Sequence, residues 1–454
     1  MLRACSPRPF RMRRHDQFSL NQPWIAHPHA KELQAISNIL DARPAMAEAV
    51  AGDLLCRVKN PETGARGMSG DQVLRVLLLK QMKGFSYEEL HFHLMDSATF
   101  RTFCRFGVME EVPGRSTLAE NIKKVRAETL EQVNRELLAH AKAAGVEKGR
   151  KVRVDATVVE TNIHHPTDSS LLYDGVALIA RLLGEARDLC GYMLWSDHTR
   201  RAKRRMLAVQ NAGTKAKRLV AYRDLLKVAR KTLGYGEGAL EALASASGAG
   251  AKLWATLEEA VLWLRAVIDQ TERRVLRGES VPAEEKVVSF FEPHTDIIVK
   301  DRRETLYGHK VTLTGGASGL ILDLVIESGN PADSTRAVPM LERQAEIYGR
   351  VPRQASFDGG YASKANLAAA KALGVQDVCF SKKRGLKITE MVKSTWVYRR
   401  LRSFRAGVEG MISYLKRAFN LDRCTWKGHL SFGSYVWASV VSANLLTLAR
   451  HLLS

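Results

Sequence analysis

Lys151-Val-Arg-Val-Asp155-Ala-Thr-Val-Val159 is the stretch on which the fold turns. Val152, Val154, Ala156 and Val158 alternate with Arg153, Asp155, Thr157 and Val159. A repeat of two residues is the period of a β-strand. Asp155 falls mid-strand with Thr157 on the same face. A lone carboxylate in a valine-rich strand is disfavoured unless it is paired or binds a metal. The stretch therefore reads both as the first strand of a sheet and as the seat of a candidate ligand.

Upstream of this strand the pattern is helical. Residues 71–83 carry Val73, Leu74, Val76, Leu77, Leu78 and Met82 at helical spacing, and Gly84 ends the run. Ser86-Tyr-Glu-Glu89 has capping-box form and opens a helix over 87–95. Asp96 or Ser97 caps a third helix, and Pro113-Gly114 separates it from a long helix over 116–144. These elements fit a helix-turn-helix module or a plain bundle, and the first 30 residues read as an irregular arm. Downstream, residues 173–277 are helical again, and strands return after Val287. Residues 310–314 and 320–327 flank Gly315-Gly-Ala-Ser-Gly319 as a hairpin. Asn330-Pro-Ala-Asp333-Ser ends it and caps a helix over 335–348. A strand at 354–358, a helix at 363–373, a strand at 376–381, a helix at 405–416 and a terminal helix complete the chain. The expected class is α/β, a mixed sheet flanked by helices. The expected division is a helical N-terminal region (1–148) and a mixed-sheet domain (149–454) with a helical insertion at 166–284.

The chain has 454 residues, enough for two or three domains. Its 69 Lys+Arg against 48 Asp+Glu give a net charge of +21, which favours polyanionic partners, nucleic acid before anionic membrane. The six cysteines are scattered without a C-x-x-C pair, the pattern of reduced thiols in a cytosolic protein. The basic N-terminus lacks the apolar core of a secretory signal. The apolar tail at 435–453 is broken by Ser439, Ser442, Asn444 and Arg450, so a buried terminal helix is expected there and no membrane span. No Walker-type glycine loop is present, so no ATP requirement is expected.

Two further acids stand in positions that suit chemistry. Asp358 ends a strand and precedes Gly359-Gly360-Tyr361. Ligands of open α/β sheets gather at the carboxyl ends of strands. Glu409 lies on a helix between Arg405 and Lys416. At about 100° per residue these three side chains project within about 40° of one another. Three carboxylates from two strands and a helix can hold two divalent cations at a phosphodiester. Hard oxygen ligands favour Mg2+, with Mn2+ as a substitute.

At these residues the chain resembles the DDE transposases of bacterial insertion sequences, whose catalytic core is RNase H-like. The resemblance runs through Val154-Asp155-Ala-Thr157, Ser356-Phe-Asp358-Gly-Gly-Tyr361 and Arg405-Ala-Gly-Val-Glu409 with Lys416. The last reproduces an Arg, three residues, Glu, six residues, Lys signature. Where that signature often carries a Tyr three residues before the Arg, this chain has Arg402, and Tyr398 is the nearest upstream tyrosine. Tyr307-Gly-His-Lys310 with the following hairpin is similar to ISNCY-type members, and 69–106 resembles the transposase N-terminal domain. The resemblance implies Asp155, Asp358 and Glu409 as metal ligands, with Arg405 and Lys416 on phosphate and Tyr361 as a further substrate contact. It assigns DNA binding or dimerisation to residues 1–148 and catalysis to residues 149–454, and implies cleavage at insertion-sequence ends and joining of the 3′-hydroxyl to target DNA. The partners implied are double-stranded DNA with terminal inverted repeats and target DNA, with a homodimer on DNA and a cytoplasmic, nucleoid-associated location. An RNase H-like nuclease without strand transfer, and a non-catalytic DNA-binding protein derived from a transposase, remain as alternatives.

Within the helical insertion, residues 198–223 contain no acid but carry Arg200, Arg201, Lys203, Arg204, Arg205 and further cations. A solvated helix face normally carries acidic partners four residues away. Their absence favours a surface that tracks phosphates, and Lys382-Lys-Arg384 with Arg399-Arg-Leu-Arg402 would extend it.

Overall fold

In the computed structural model, which describes residues 24–56, 58, 67–191, 194–300 and 304–454, the alternating stretch forms strand β1 (Lys151–Glu160). It lies at the centre of a six-stranded sheet. Five further strands are β2 (Asp296–Lys300), β3 (Glu304–Gly315), β4 (Ile321–Ile326), β5 (Gln354–Phe357) and β6 (Asp377–Phe380). Their order is β2-β3-β1-β5-β6, with β4 paired to β3. β3 runs antiparallel to β1, Asp155 facing Leu313, and antiparallel to β4 across the expected hairpin. β5 runs parallel to β1 with Val154 opposite Phe357, and β6 parallel to β5. An antiparallel hairpin on one side of a central strand and two parallel strands on the other make an RNase H-like mixed sheet.

Helices cover it for ordinary reasons of patterning. Thr395–Ala418 buries Val397, Tyr398, Leu401, Val408 and Leu415 along one face and lies across β1, β5 and β6. It begins ten residues earlier than the sequence pattern suggests, capped by Ser394, whose hydroxyl accepts from the Val397 N–H. Ala337–Tyr348 packs on β4, and Lys364–Ala372 on β6. The terminal helix His429–Leu453 is long and apolar enough to cross a membrane, but 89% of its apolar window is buried inside the chain. It packs on Pro28–Asp41, Gly70–Lys83 and Ala127–Ala143, so the N-terminal helices share one hydrophobic core with the sheet.

The capping box expected at Ser86 is formed, another forms at Ser69, and Ser97 rather than Asp96 caps the third expected helix. Two expectations are corrected. Residues 116–144 are two helices, Arg115–Lys124 and Ala127–Ala143, with Val125 and Arg126 extended between them. The buried Asp53 carboxylate accepts from the Arg126 N–H at 2.9 Å and from its guanidinium, which takes that N–H out of the helix. The irregular arm lies outside the described residues through position 23, and helix begins already at Pro28 with His27 as its cap.

The chain divides into two compact units. The first comprises residues through Thr161 and Ile298–Ser454. The second, Asn162–Ile297, is helical: Asp168–Cys190, Thr199–Gln210, Lys215–Leu243 and Ala249–Thr271 pack around Leu172, Ile179, Leu225, Leu257 and Leu264. Its buried Asp168 is held by Arg274 and Gln270.

Candidate active site

β1 carries Asp155 on the face covered by the Thr395–Ala418 helix. One Asp155 oxygen, Oδ1, accepts from the Ala156 N–H at 2.9 Å. Asp358 follows the last residue of the adjacent parallel strand β5, and parallel register brings it beside Asp155. A 3-10 turn, Gly359–Tyr361, begins directly after it. The glycines are there for close approach. A Cβ on Gly359 would lie 2.7 Å from the Lys382 Cβ, and one on Gly360 would lie 2.6 Å from Asp333 Oδ2. Ser381, following β6, donates its hydroxyl to Asp358 Oδ1 at 2.7 Å.

The helix completes the group. Arg405 Nη2 lies 2.9 Å from Asp155 Oδ2 and 3.4 Å from Asp358 Oδ1, and Nη1 lies 3.0 Å from Glu409 Oε1. Three carboxylates separated by up to 254 positions of sequence thus converge on one guanidinium. Beneath the helix, Arg153 donates to the Phe404 carbonyl at 3.0 Å and to the Met411 sulfur. Gly407 admits it, since a Cβ there would lie 2.3 Å from Arg153 Nη1. The glycine inside the Arg405–Glu409 motif thus gives the Arg153 guanidinium room beneath the helix.

Burial raises the Asp155 pKa, Arg405 and the Ala156 N–H draw it back, and nearby Asp358 and Asp333 push it up, leaving it above the ordinary 3.8. At Asp358, burial also works upward. There the Ser381 hydroxyl, the Gly359 N–H, Arg405 and Lys382 outweigh it, and the pKa is lowered. The two acids differ because Asp155 is sunk in the sheet while Asp358 stands at its rim among donors.

The donor set fits divalent cations of the hard class. It offers three carboxylates and no sulfur or imidazole among the acids on Arg405. The Glu409 side chain is 69% exposed and that of Asp358 38%, so the cluster opens to solvent.

Other candidate residues are placed differently. Arg405 is turned onto the carboxylates rather than outward, because a guanidinium beside three acids satisfies them first. Lys416 pairs with Asp422 at 3.0 Å and makes no contact with the three acids. Tyr361 is completely buried, its ring 5.6 Å from that of Phe357 and its hydroxyl without a hydrogen-bond partner. Tyr398, nearest to the missing motif tyrosine, is buried and donates to the Phe380 carbonyl. Arg200, Arg201, Arg204 and Arg205 lie exposed on Thr199–Gln210 of the second unit. The premise that they lack acidic partners is corrected for two of them: Arg201 and Arg205 both pair with Asp224. That acid stands one residue beyond the acid-free stretch, on the neighbouring helix.

Some neighbours of the site went unread in the sequence, and one, Asp333, is corrected. Ser381 gives no local signal, being an ordinary strand-end serine. Asp333 does not cap the Ala337–Tyr348 helix; its carboxylate takes the buried Lys310 ammonium at 2.5 Å and abuts Gly360. Asp323, in the hairpin strand β4, forms a buried pair with Arg343. The Tyr307-Gly-His-Lys310 motif was the one available pointer to Lys310.

Comparison with protein families matches the Transposase DDE domain over residues 293–445 and the Transposase domain (DUF772) over residues 24–124. The chain belongs to the insertion-sequence DDE transposases. The first match contains Asp358, Arg405, Glu409 and Lys416, and Asp155 lies outside both matches. No curated protein and no solved structure matches the chain. Membership of the DDE transposases implies polynucleotidyl transfer on DNA and the use of divalent metal.

Proposed function

We propose that this DDE transposase cleaves phosphodiester bonds at the ends of an insertion sequence and joins the freed 3′-hydroxyl to target DNA, with Asp155, Asp358 and Glu409 as its catalytic carboxylates. The observation that carries this reading is the convergence of the three acids on the Arg405 guanidinium. These acids would hold Mg2+, or Mn2+ in its place. Such cations supply polarisation of the phosphodiester and activation of the attacking oxygen.

The chain's own residues do the rest. Ser381 and the Gly359 N–H hold Asp358 ionised. Arg405 balances the repulsion among the three acids, and would turn toward phosphate, as a planar fork suits, once other cations share that charge. Lys416, tied to Asp422 by an ion pair with the Asp422 side chain 68% exposed, would exchange that partner for phosphate at small cost. Tyr361 contributes by packing beneath the turn of Asp358. The N-terminal helices and the exposed cations of the second unit, Arg200 and Arg204 foremost, would bind the terminal inverted repeats mainly through phosphates, as a homodimer holding two ends together. Cytoplasmic location in association with the nucleoid follows from that role.

The test supplies end-sequence DNA, target DNA and Mg2+ to the wild type and to Asp155→Asn, Asp358→Asn and Glu409→Gln. Each variant should lose cleavage and joining while keeping DNA binding. Cleaved ends that never join would favour a nuclease without strand transfer. Wild-type activity in all three variants would remove the site, and a wild type that binds but never cleaves would leave a DNA-binding protein.

A further inference from the structure

The helix that bears Arg405 and Glu409 carries a second feature at its other end. Trp396 is 62% exposed, and it is the only tryptophan among the exposed large hydrophobic residues described. The Arg400 guanidinium lies 4.8 Å from its ring centroid, one turn along the helix. One turn further, the half-buried Phe404 ring is flanked by Lys151 Nζ at 4.1 Å and Arg153 Cζ at 4.7 Å. Aromatic and cationic groups thus alternate along one flank of the helix from its N-terminus.

The charges on this ladder are uncompensated. Residues 382–402 hold eight Lys or Arg against one acid, Glu390, whose carboxylate accepts from the Lys387 N–H of its own turn. All eight cations are exposed, and none forms an ion pair among the described residues. The contrast is Thr199–Gln210, where Asp224 neutralises two arginines. Lys151 is crowded enough that burial first, then Arg400 and Arg153, lower its pKa. Such crowding of like charge is relieved by a polyanion.

A flexible cationic surface alone would suit duplex phosphates. An open indole adds a flat surface for a nucleobase, and stacking on an aromatic ring needs a base whose face is free of its own neighbours. Trp396 stands nine positions before Arg405, about 14 Å along the helix axis and on the opposite flank of its buried stripe at about 100° per residue. We propose that Trp396, with Arg400 and Lys151, is a binding site for an unpaired nucleobase and its phosphates. The site rests on the transposase reading for its DNA strand.

The test uses full-length protein and two DNA probes, a 30-base-pair blunt duplex and the same duplex with four unpaired nucleotides at one end, the last being 2-aminopurine. Wild type should bind the tailed probe more tightly and quench its fluorescence. Trp396→Ala should lose roughly 5- to 100-fold of the affinity for the tailed probe and keep its affinity for the blunt one. Trp396→Phe, which retains a ring, should keep most of the preference. Equal preference for the tail in wild type and Trp396→Ala would overturn the proposal. So would a change in sedimenting mass of Trp396→Ala without a change in tail preference, which would mark the surface as a contact between protein chains. Cleavage assays separate the two readings. Loss of the tail preference by Trp396→Ala while Asp155→Asn still cleaves would remove the assigned acids and leave the base site standing. No effect of Trp396→Ala beside an inactive Asp155→Asn would do the reverse.

Discussion

At Asp155 and Asp358 two chemically identical side chains a few ångströms apart titrate in opposite directions. The raised pKa of Asp155 means that its contribution to stability is fully present below the ordinary 3.8 and is lost as pH rises through the folded value. Asp358 behaves oppositely: its contribution is present above 3.8 and is lost as pH falls through its depressed value. Asp155→Asn should therefore leave the metal-free protein at neutral pH as stable as the wild type or more so, while removing activity. A melting temperature several degrees below wild type would contradict the burial argument. A proton at Asp155 also competes with a bound cation. On acidification, Mg2+ affinity should begin to fall at a pH above that expected of an ordinary aspartate, and isothermal titration across pH 4–7 checks this. Asp358 should still be ionised when Asp155 has taken its proton, which carboxyl carbon shifts would record residue by residue.

Elements hold these side chains through close approaches more than through propensity. Gly359 sits against the Lys382 Cβ, an atom fixed to the backbone that cannot swing aside. Gly359→Ala should shift the turn bearing Asp358, destabilise the fold by about 1–3 kcal/mol and lower cleavage at least tenfold; unchanged activity would show that the turn gives way freely. In the N-terminal helices the fully buried Arg75 is bound by Asp71 and Asp41 and donates to the Phe103 carbonyl and the Ser37 hydroxyl. Removing one partner of such a network leaves charges uncompensated, so Arg75→Ala should lower the unfolding free energy by about 3–5 kcal/mol, measurable by urea denaturation.

For the whole molecule, a net charge of +21 makes binding to DNA a matter of counterion release, and the logarithm of affinity should fall linearly with the logarithm of salt concentration. Arginines already paired within the protein should contribute less to that slope than free ones. Replacing Arg200 and Arg204 with Ala should flatten it by about two, and replacing Arg201 and Arg205 by less, because Asp224 already holds them. Equal effects from the two pairs would show that the ion pairs on Asp224 dissolve on binding. Filter binding between 50 and 300 mM salt measures both.

Much of this architecture was legible in the sequence because its signals are local. The period of two in β1, the glycines after Asp358 and the capping box at Ser86 each depend on residues a few positions apart, and each stands where that pattern put it. The break at Val125–Arg126 was not legible, since its cause, Asp53, lies 73 positions away. Nor was the role of Asp224, one residue past the stretch that looked free of acid. Sequence by itself determined which residues could be strand, helix or ligand, through periodicity and side-chain chemistry. Only the tertiary structure decided that three distant carboxylates share one guanidinium, that Lys416 turns to Asp422 and that Tyr361 is sealed in the core. Those outcomes are set by strand register and helix packing, which place atoms to within an ångström and leave no trace in the spacing of the chain.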